Sequence, residues 1–185
     1  MQDGAKASGG DAPTILVVTD GRAGNESQAI GLAEAMARIR PFSISAIRIH
    51  SSAPAPSADI AIGCGRRAAP AVRRAQAGFR IQMLDPRDDP RRYDIIIAPE
   101  HDRLSAPNAI AMLGAANRTV REHVRAMRHR RLERLVRPVI GVLVGGPNRA
   151  FAFESKDAGA LAEVLAGVPG ALAISASRRT PPAAV

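Results

Sequence analysis

The chain has 185 residues and a mass of 19.4 kDa, enough for one ordinary domain and part of a second. Its 46% hydrophobic against 23% charged residues allow a buried core and exclude a disordered chain. Aromatics are only 3%, which disfavours a single-stranded nucleic-acid platform. The single cysteine, Cys64, excludes an internal disulfide or a cysteine-built zinc cluster and points to a reducing, cytoplasmic compartment. The formal net charge is +9, and Lys6 and Lys156 are the only lysines, so arginine carries nearly all of the positive charge.

The opening stretch, residues 1–13, is rich in Gly, Ala and Asp, lacks the apolar run of a signal peptide and reads as a flexible tail. Residues 14–19 then form a β-type run that ends at Asp20. Over 25–38, Ala29, Leu32, Ala33, Met36 and Ala37 recur at the spacing of an amphipathic helix, with Asn25 as its N-cap and Gln28 three residues on. Strands are predicted at 43–49 and 59–62, then a helix over 66–77 with Pro70 near its start, where proline is best tolerated. Further strands follow at 79–84 and 94–98, and a weaker sixth at 109–113.

An Arg-rich helix is expected from Thr119, where Thr119 and Glu122 have capping-box spacing. Residues 118–137 hold eight arginines against Glu122 and Glu133, most of the chain's excess charge. Such a patch suits an anionic neighbour (phosphate, a lipid headgroup or nucleic acid) or is simply a solvated face. After Pro138 come a buried-type strand at 139–144, a helix at 156–166 and a strand at 172–176. No segment approaches the ~18 consecutive apolar residues of a membrane span.

Strands apolar on both faces, alternating with helices, predict an α/β fold with a parallel sheet covered on each side. The expected organisation is a Rossmann-like domain over 14–137, followed over 138–185 by the beginning of a second, incomplete Rossmann-like domain.

Polar residues and glycines collect after the strands. The first strand leads into Asp20, Gly21, Gly24 and Asn25, the third into Gly63, Gly65 and Arg66, and the fourth into Asp85 and Arg87. The fifth leads into Glu100, His101 and Asp102, and the last two into Gly145, Gly146 and Asn148 and into Ser177, Arg178, Arg179 and Thr180. Open α/β sheets bind ligands at the carboxyl ends of their strands, so these loops predict a binding edge.

The glycine pairs suit tight turns into helix N-termini that attract anions, with Gly145 and Gly146 the best diphosphate candidates. Each pair also suits a plain turn. His101 is a sensible general base, whereas Glu100, His101 and Asp102 on an extended segment cannot all converge on one atom. The same triplet could instead knot its own loop. No metal site is expected, because no second histidine stands at ligand spacing. Cys64 reads as a small buried hydrophobe. A Walker loop, a G-x-G-x-x-G loop and a Tyr-x-x-x-Lys pair are all lacking, which argues against nicotinamide chemistry and a short-chain-type epimerase.

Several stretches together carry a resemblance: 19–28 (TDGRAGNESQ), 63–67 (GCGRR), 82–87 (QMLDPR) and 99–104 (PEHDRL). Pro107-Asn108, Gly145-Gly-Pro-Asn148 and Ser177-Arg-Arg-Thr180 continue it in order. In this combination the chain resembles the plant mitochondrial-fission, Elm-type family and its bacterial relatives. The resemblance implies a glycosyltransferase-B-like architecture, with an acceptor-side first domain and a donor-side second domain that binds a nucleotide sugar or other phosphorylated small molecule. No further cofactor or metal is implied. Asp20, Glu100, His101 and Asp102 would then line the cleft, with His101 or Asp20 as base. Gln28 and Asn108 would join the binding set, and Gly145, Gly146, Arg178 and Arg179 would steady diphosphate charge. Plant members are implicated in recruiting a dynamin-related GTPase, which makes a non-enzymatic adaptor the alternative. Residues 118–137 could hold such a protein against the inner face of an anionic membrane.

Overall fold

The computed structural model describes residues 12–49, 56–127 and 130–182. Most of the expected tail and Arg128 lie outside these residues. The chain divides into two compact units, one ending at Val120 and the other beginning at Arg121, so the Arg-rich stretch from Arg121 onward falls with the second.

The first unit is a six-stranded, all-parallel sheet: β1 (Thr14–Thr19), β2 (Ser43–Arg48), β3 (Ala58–Cys64), β4 (Ala77–Met83), β5 (Ile95–Pro99) and β6 (Ala109–Met112). Their order across the sheet is β2-β1-β3-β4-β5-β6. The chain steps one way from β1 to β2 and the other way from β3 onward. Right-handed crossovers therefore place the helix after β1, α1 (Ala23–Ile39), and the helix after β3, α2 (Ala69–Arg74), on opposite faces.

The core records this alternation residue by residue. Ile15 and Val17 pack with Ala29 and Ala33 of α1, while Leu16 and Val18 pack with Ala69 and Val72 of α2. At the amino end of the sheet Thr14 and Asp59 grip each other. The Thr14 backbone N–H donates to Asp59 Oδ2 at 2.7 Å, and the Asp59 N–H donates to Thr14 Oγ1 at 3.0 Å.

The described structure corrects several sequence expectations. The first helix starts at Ala23, so Asn25 lies inside its first turn and Gln28 beyond it. Arg22 is the N-cap and makes no side-chain cap. Asp20 explains the shift, because its Oδ1 accepts the Arg22 N–H at 3.1 Å and organises the turn before the helix. The second helix has only six residues, because the chain turns at Ala75 to enter β4. Both sheet edges are less covered than a sheet packed on each side predicts: β2 is almost wholly exposed, and Ile110 of β6 is half exposed.

In the second unit, β7 (Val139–Val144) and β8 (Ala171–Ala176) pair in parallel around α5 (Ser155–Ala166), a single β-α-β turn of a Rossmann-like fold. The Arg-rich stretch is not one helix. It forms α3 (Arg121–Ala126) and α4 (Arg130–Glu133), and the first begins too late for Thr119 to be its cap. Among the described residues no helix is long and apolar enough to cross a membrane.

Candidate functional site

Ligands in open α/β sheets lodge where the strand order reverses, outside the carboxyl ends of the two strands concerned, here β1 and β3. An open cleft of about 360 Å³ occupies that place. The loop after β1 contributes Asp20, Arg22 and Asn25 to its wall, and the loop after β3 contributes Gly65, Arg66 and Arg67. Leu84, Asp85 and Arg87 follow from the end of β4, and Asp102 from the end of β5.

Asp20 has the most enclosed carboxylate of these, with a side chain only 1% exposed. Its carboxylate accepts the Arg22 N–H and the Asn25 amide (Nδ2 to Oδ2, 3.3 Å), and Arg22 Nε stands 3.6 Å from Oδ2. Gly65 is at φ +80°, and a Cβ there would stand 2.7 Å from Asn25 Nδ2. The third loop must therefore be glycine for the first to keep its side chain in place. Below them Cys64 is buried. Burial, then the charge of Asp20, pushes its thiol up to about 12, so the sulfur is a protonated hydrophobe.

Backbone strain gathers at this rim. Leu84, Arg87 and Arg103 are non-glycine residues in the left-handed region, at φ 63°, 54° and 50°, and each follows the end of β4 or β5. Leu84 and Arg87 both line the cleft.

The remaining candidates sort differently. Glu100, His101 and Asp102 form one 3-10 turn rather than an extended segment. Asp102 reaches the cleft wall, but His101 is 82% exposed and stands 3.7 Å from it, Nε2 to Oδ1. Gly21 makes the expected tight turn at φ +75°. Gly24 has open space around it and lies within α1, while Gly63 serves packing, since a Cβ there would run into Val72 of α2. The Asn108 amide holds the carbonyls of Pro90 and Tyr93 at 2.9 and 2.7 Å, and Gln28 lies on α1 with its carbonyl oxygen buried.

In the second unit the last two loops are knitted together. The Thr180 hydroxyl lies 2.8 Å from the Gly145 carbonyl oxygen and 3.1 Å from that of Val144, and accepts the Ser177 N–H at 2.9 Å. Gly146 sits against the Arg179 backbone, whereas nothing crowds Gly145. Asn148 closes its own turn by accepting the Ala150 and Phe151 N–H groups. The start of α5 is not free for an anion. Glu154 and Asp157 form a reciprocal capping box over its first turn, so any phosphate at Gly145 depends on loop backbone and arginine.

Sequence reasoning gave no site role to Arg22 and Arg67, which line the cleft, or to Gln82, which is fully buried and supports it. The Gln82 amide donates to the carbonyls of Met83, at 2.8 Å, and of Gly65, at 3.3 Å. Its signal was a lone glutamine inside the otherwise apolar run 81–84. Among the described residues no group of three His, Cys, Asp or Glu side chains is placed to hold a metal ion.

A family model described as Mitochondrial fission ELM1 matches residues 23–185. No curated protein and no solved structure matches the chain.

Proposed function

The chain belongs to the mitochondrial fission ELM1 family, and from that premise we propose a glycosyltransferase-B-like, sugar-nucleotide-binding protein. Its first unit meets the acceptor and its second holds the donor's diphosphate. The observation that carries this reading is the clasp in the second unit. Thr180 ties the turn of Arg178 and Arg179 to the carbonyl of Gly145, so bare backbone and two exposed guanidinium groups share one rim. That is the electrostatic equipment a leaving diphosphate needs in the absence of a metal. In the first unit Asp20, enclosed in the cleft, is a better placed base than His101, whose side chain is 82% exposed.

A panel of radiolabelled nucleotide sugars tests the reading. At least one is expected to bind, and to be lost in the Arg178→Ala/Arg179→Ala variant. No binding by any member of the panel would defeat it.

A second reading, a non-enzymatic adaptor at an anionic membrane surface, is favoured by the Arg-rich stretch. All described residues of α3 and α4 are exposed, the apolar Val124 among them, as are Met127 and Val136 beside them. Basic residues contribute ~1 kcal/mol each at an anionic surface. Co-sedimentation with anionic but not neutral vesicles is the expected result, and equal binding to both would retire the idea.

A further inference from the structure

The charges around the switch-point cleft do not cancel evenly. Three carboxylates line it, and two have a guanidinium group from their own loop: Arg22 Nε lies 3.6 Å from Asp20 and Arg87 Nε lies 3.0 Å from Asp85, while the imidazole of His101 stands 3.7 Å from Asp102. Arg66 and Arg67 also line the cleft, both exposed, and among the described residues neither has a hydrogen-bond or ion-pair partner. The cleft thus holds a pair of guanidinium groups without a carboxylate partner, on the loop between that of Asp20 and those of Asp85 and Asp102. Asp20 and Asp85 are already held in position by their own loops. Leu84 is the one apolar side chain among the lining residues, so the cleft offers little to an acyl chain or an aromatic ring.

We propose that this cleft binds a phosphorylated sugar, with Arg66 and Arg67 taking the phosphate and the carboxylates of Asp20 and Asp102 accepting its hydroxyl groups. The inference rests on reading the first unit as the acceptor side and names the acceptor's chemical class. Paired guanidinium groups match a phosphate dianion through charge-assisted, forked hydrogen bonds. An ionised carboxylate only accepts, so it recognises hydroxyl donors and repels a second phosphate. A volume of about 360 Å³ suits a monosaccharide phosphate and is at the small end of ligand pockets. Asp20, already buried and fixed by Asn25, would orient the hydroxyl it binds at little further entropic cost.

The test is nuclear magnetic resonance of the full chain. Glucose 1-phosphate, N-acetylglucosamine 1-phosphate and ribose 5-phosphate are each titrated to about 10 mM, above the millimolar affinity that a single small anion reaches. Inorganic phosphate and glucose serve as separate arms. At least one sugar phosphate is expected to shift the amide signals of residues 20–25 and 65–67, and to bind about tenfold or more tightly than either inorganic phosphate or glucose. The Arg66→Ala/Arg67→Ala variant is expected to lose the effect. Its side chains are exposed and unpartnered, so the melting temperature should hold. Arg178→Ala/Arg179→Ala is expected to keep it. Shifts confined to residues 145–146 and 177–180 would overturn this assignment while leaving the donor-side reading intact. So would shifts at 65–67 that survive loss of both arginines, or no shift there with any of the three esters. Equal affinity for inorganic phosphate would overturn the sugar as the ligand.

Discussion

The two units use the same local pattern, a strand, a glycine-containing loop, a helix and a parallel strand, yet they bury very different things. Every fully buried hydrophobic residue described, from Ile15 to Ala98, belongs to the first unit. In the second the one buried residue described is polar, Thr180. The first unit stacks six strands between helices on opposite faces, so a central strand such as β3 is covered on both. Two strands and one helix leave a face open. Leu143 is 88% exposed, and an apolar groove of about 460 Å³, lined in part by Leu161, Leu165 and Leu172, lies along α5. Local pattern therefore sets the elements, and the number of neighbouring strands decides whether they bury a core.

The sharpest way to break that contrast is a pair of truncations. Ile62→Ala, in the fully buried centre of β3, is expected to cost ~2–5 kcal/mol by urea denaturation, whereas Leu143→Ala stays within ~0.5 kcal/mol. Similar losses would mean that the second unit has a core of its own. A glycine pair gives the next largest effect. Gly63→Ala forces a methyl into Val72 and Ala68 and should cost ~1–3 kcal/mol, while Gly145→Ala meets open space and should be nearly silent in the same melts.

Much of this was legible in the sequence because it depends on periodicity. The strands at 14–19 and 139–144 are continuous apolar runs, and both match the structure to the residue. Helix boundaries were not, because long-range contacts set them. Asn25 looks like a cap by spacing, but Asp20 organises the turn and uses the Asn25 amide as its own partner. The Arg-rich stretch has a single helical composition and yet forms two short pieces, since few of its side chains are apolar and none is buried among those described. For the site, the carboxyl-end rule found the loops but not the strand order, and the strand order locates the cleft. Only with β1 beside β3 do Asp20 and Arg66 face one space. Gln82 escaped because its value lies in holding the Gly65 carbonyl, a contact seventeen residues away in sequence.

Within the second unit, Thr180→Ala removes the hydroxyl that joins the ends of β7 and β8 and should cost ~1 kcal/mol, whereas Thr180→Ser should be almost neutral. The Ser177 N–H is shared between the Thr180 hydroxyl and the Val144 carbonyl oxygen, both at 2.9 Å, so exchange at that amide should quicken only modestly while the urea melts carry the loss. An alanine variant as stable as the parent would show that the clasp does not hold the two loops together.

The smallest effect at neutral pH is the one that reports most cleanly on the first unit's core. Tyr93 is the chain's one tyrosine and there is no tryptophan, so tyrosinate absorbance follows a single group. Burial pushes its phenol up to about 12, with the charge of Asp88 adding to the rise. The hydroxyl is within 3.3 Å of the Ala69 carbonyl oxygen and 3.4 Å of Asp88 Oδ2. An unfolded tyrosine titrates near pH 10. The folded chain thus keeps a proton that the unfolded chain gives up. The stability linked to this difference is fully present below pH ~10 and is lost as pH rises toward ~12. Titration at 295 nm should show a midpoint near 12 in buffer and near 10 in urea. Tyr93→Phe should remove the linked loss of stability between those pH values while changing little at pH 7. A native midpoint near 10 would mean that the α2 face of the sheet is open to water, and the contrast between the two units would fail on the side where it is strongest.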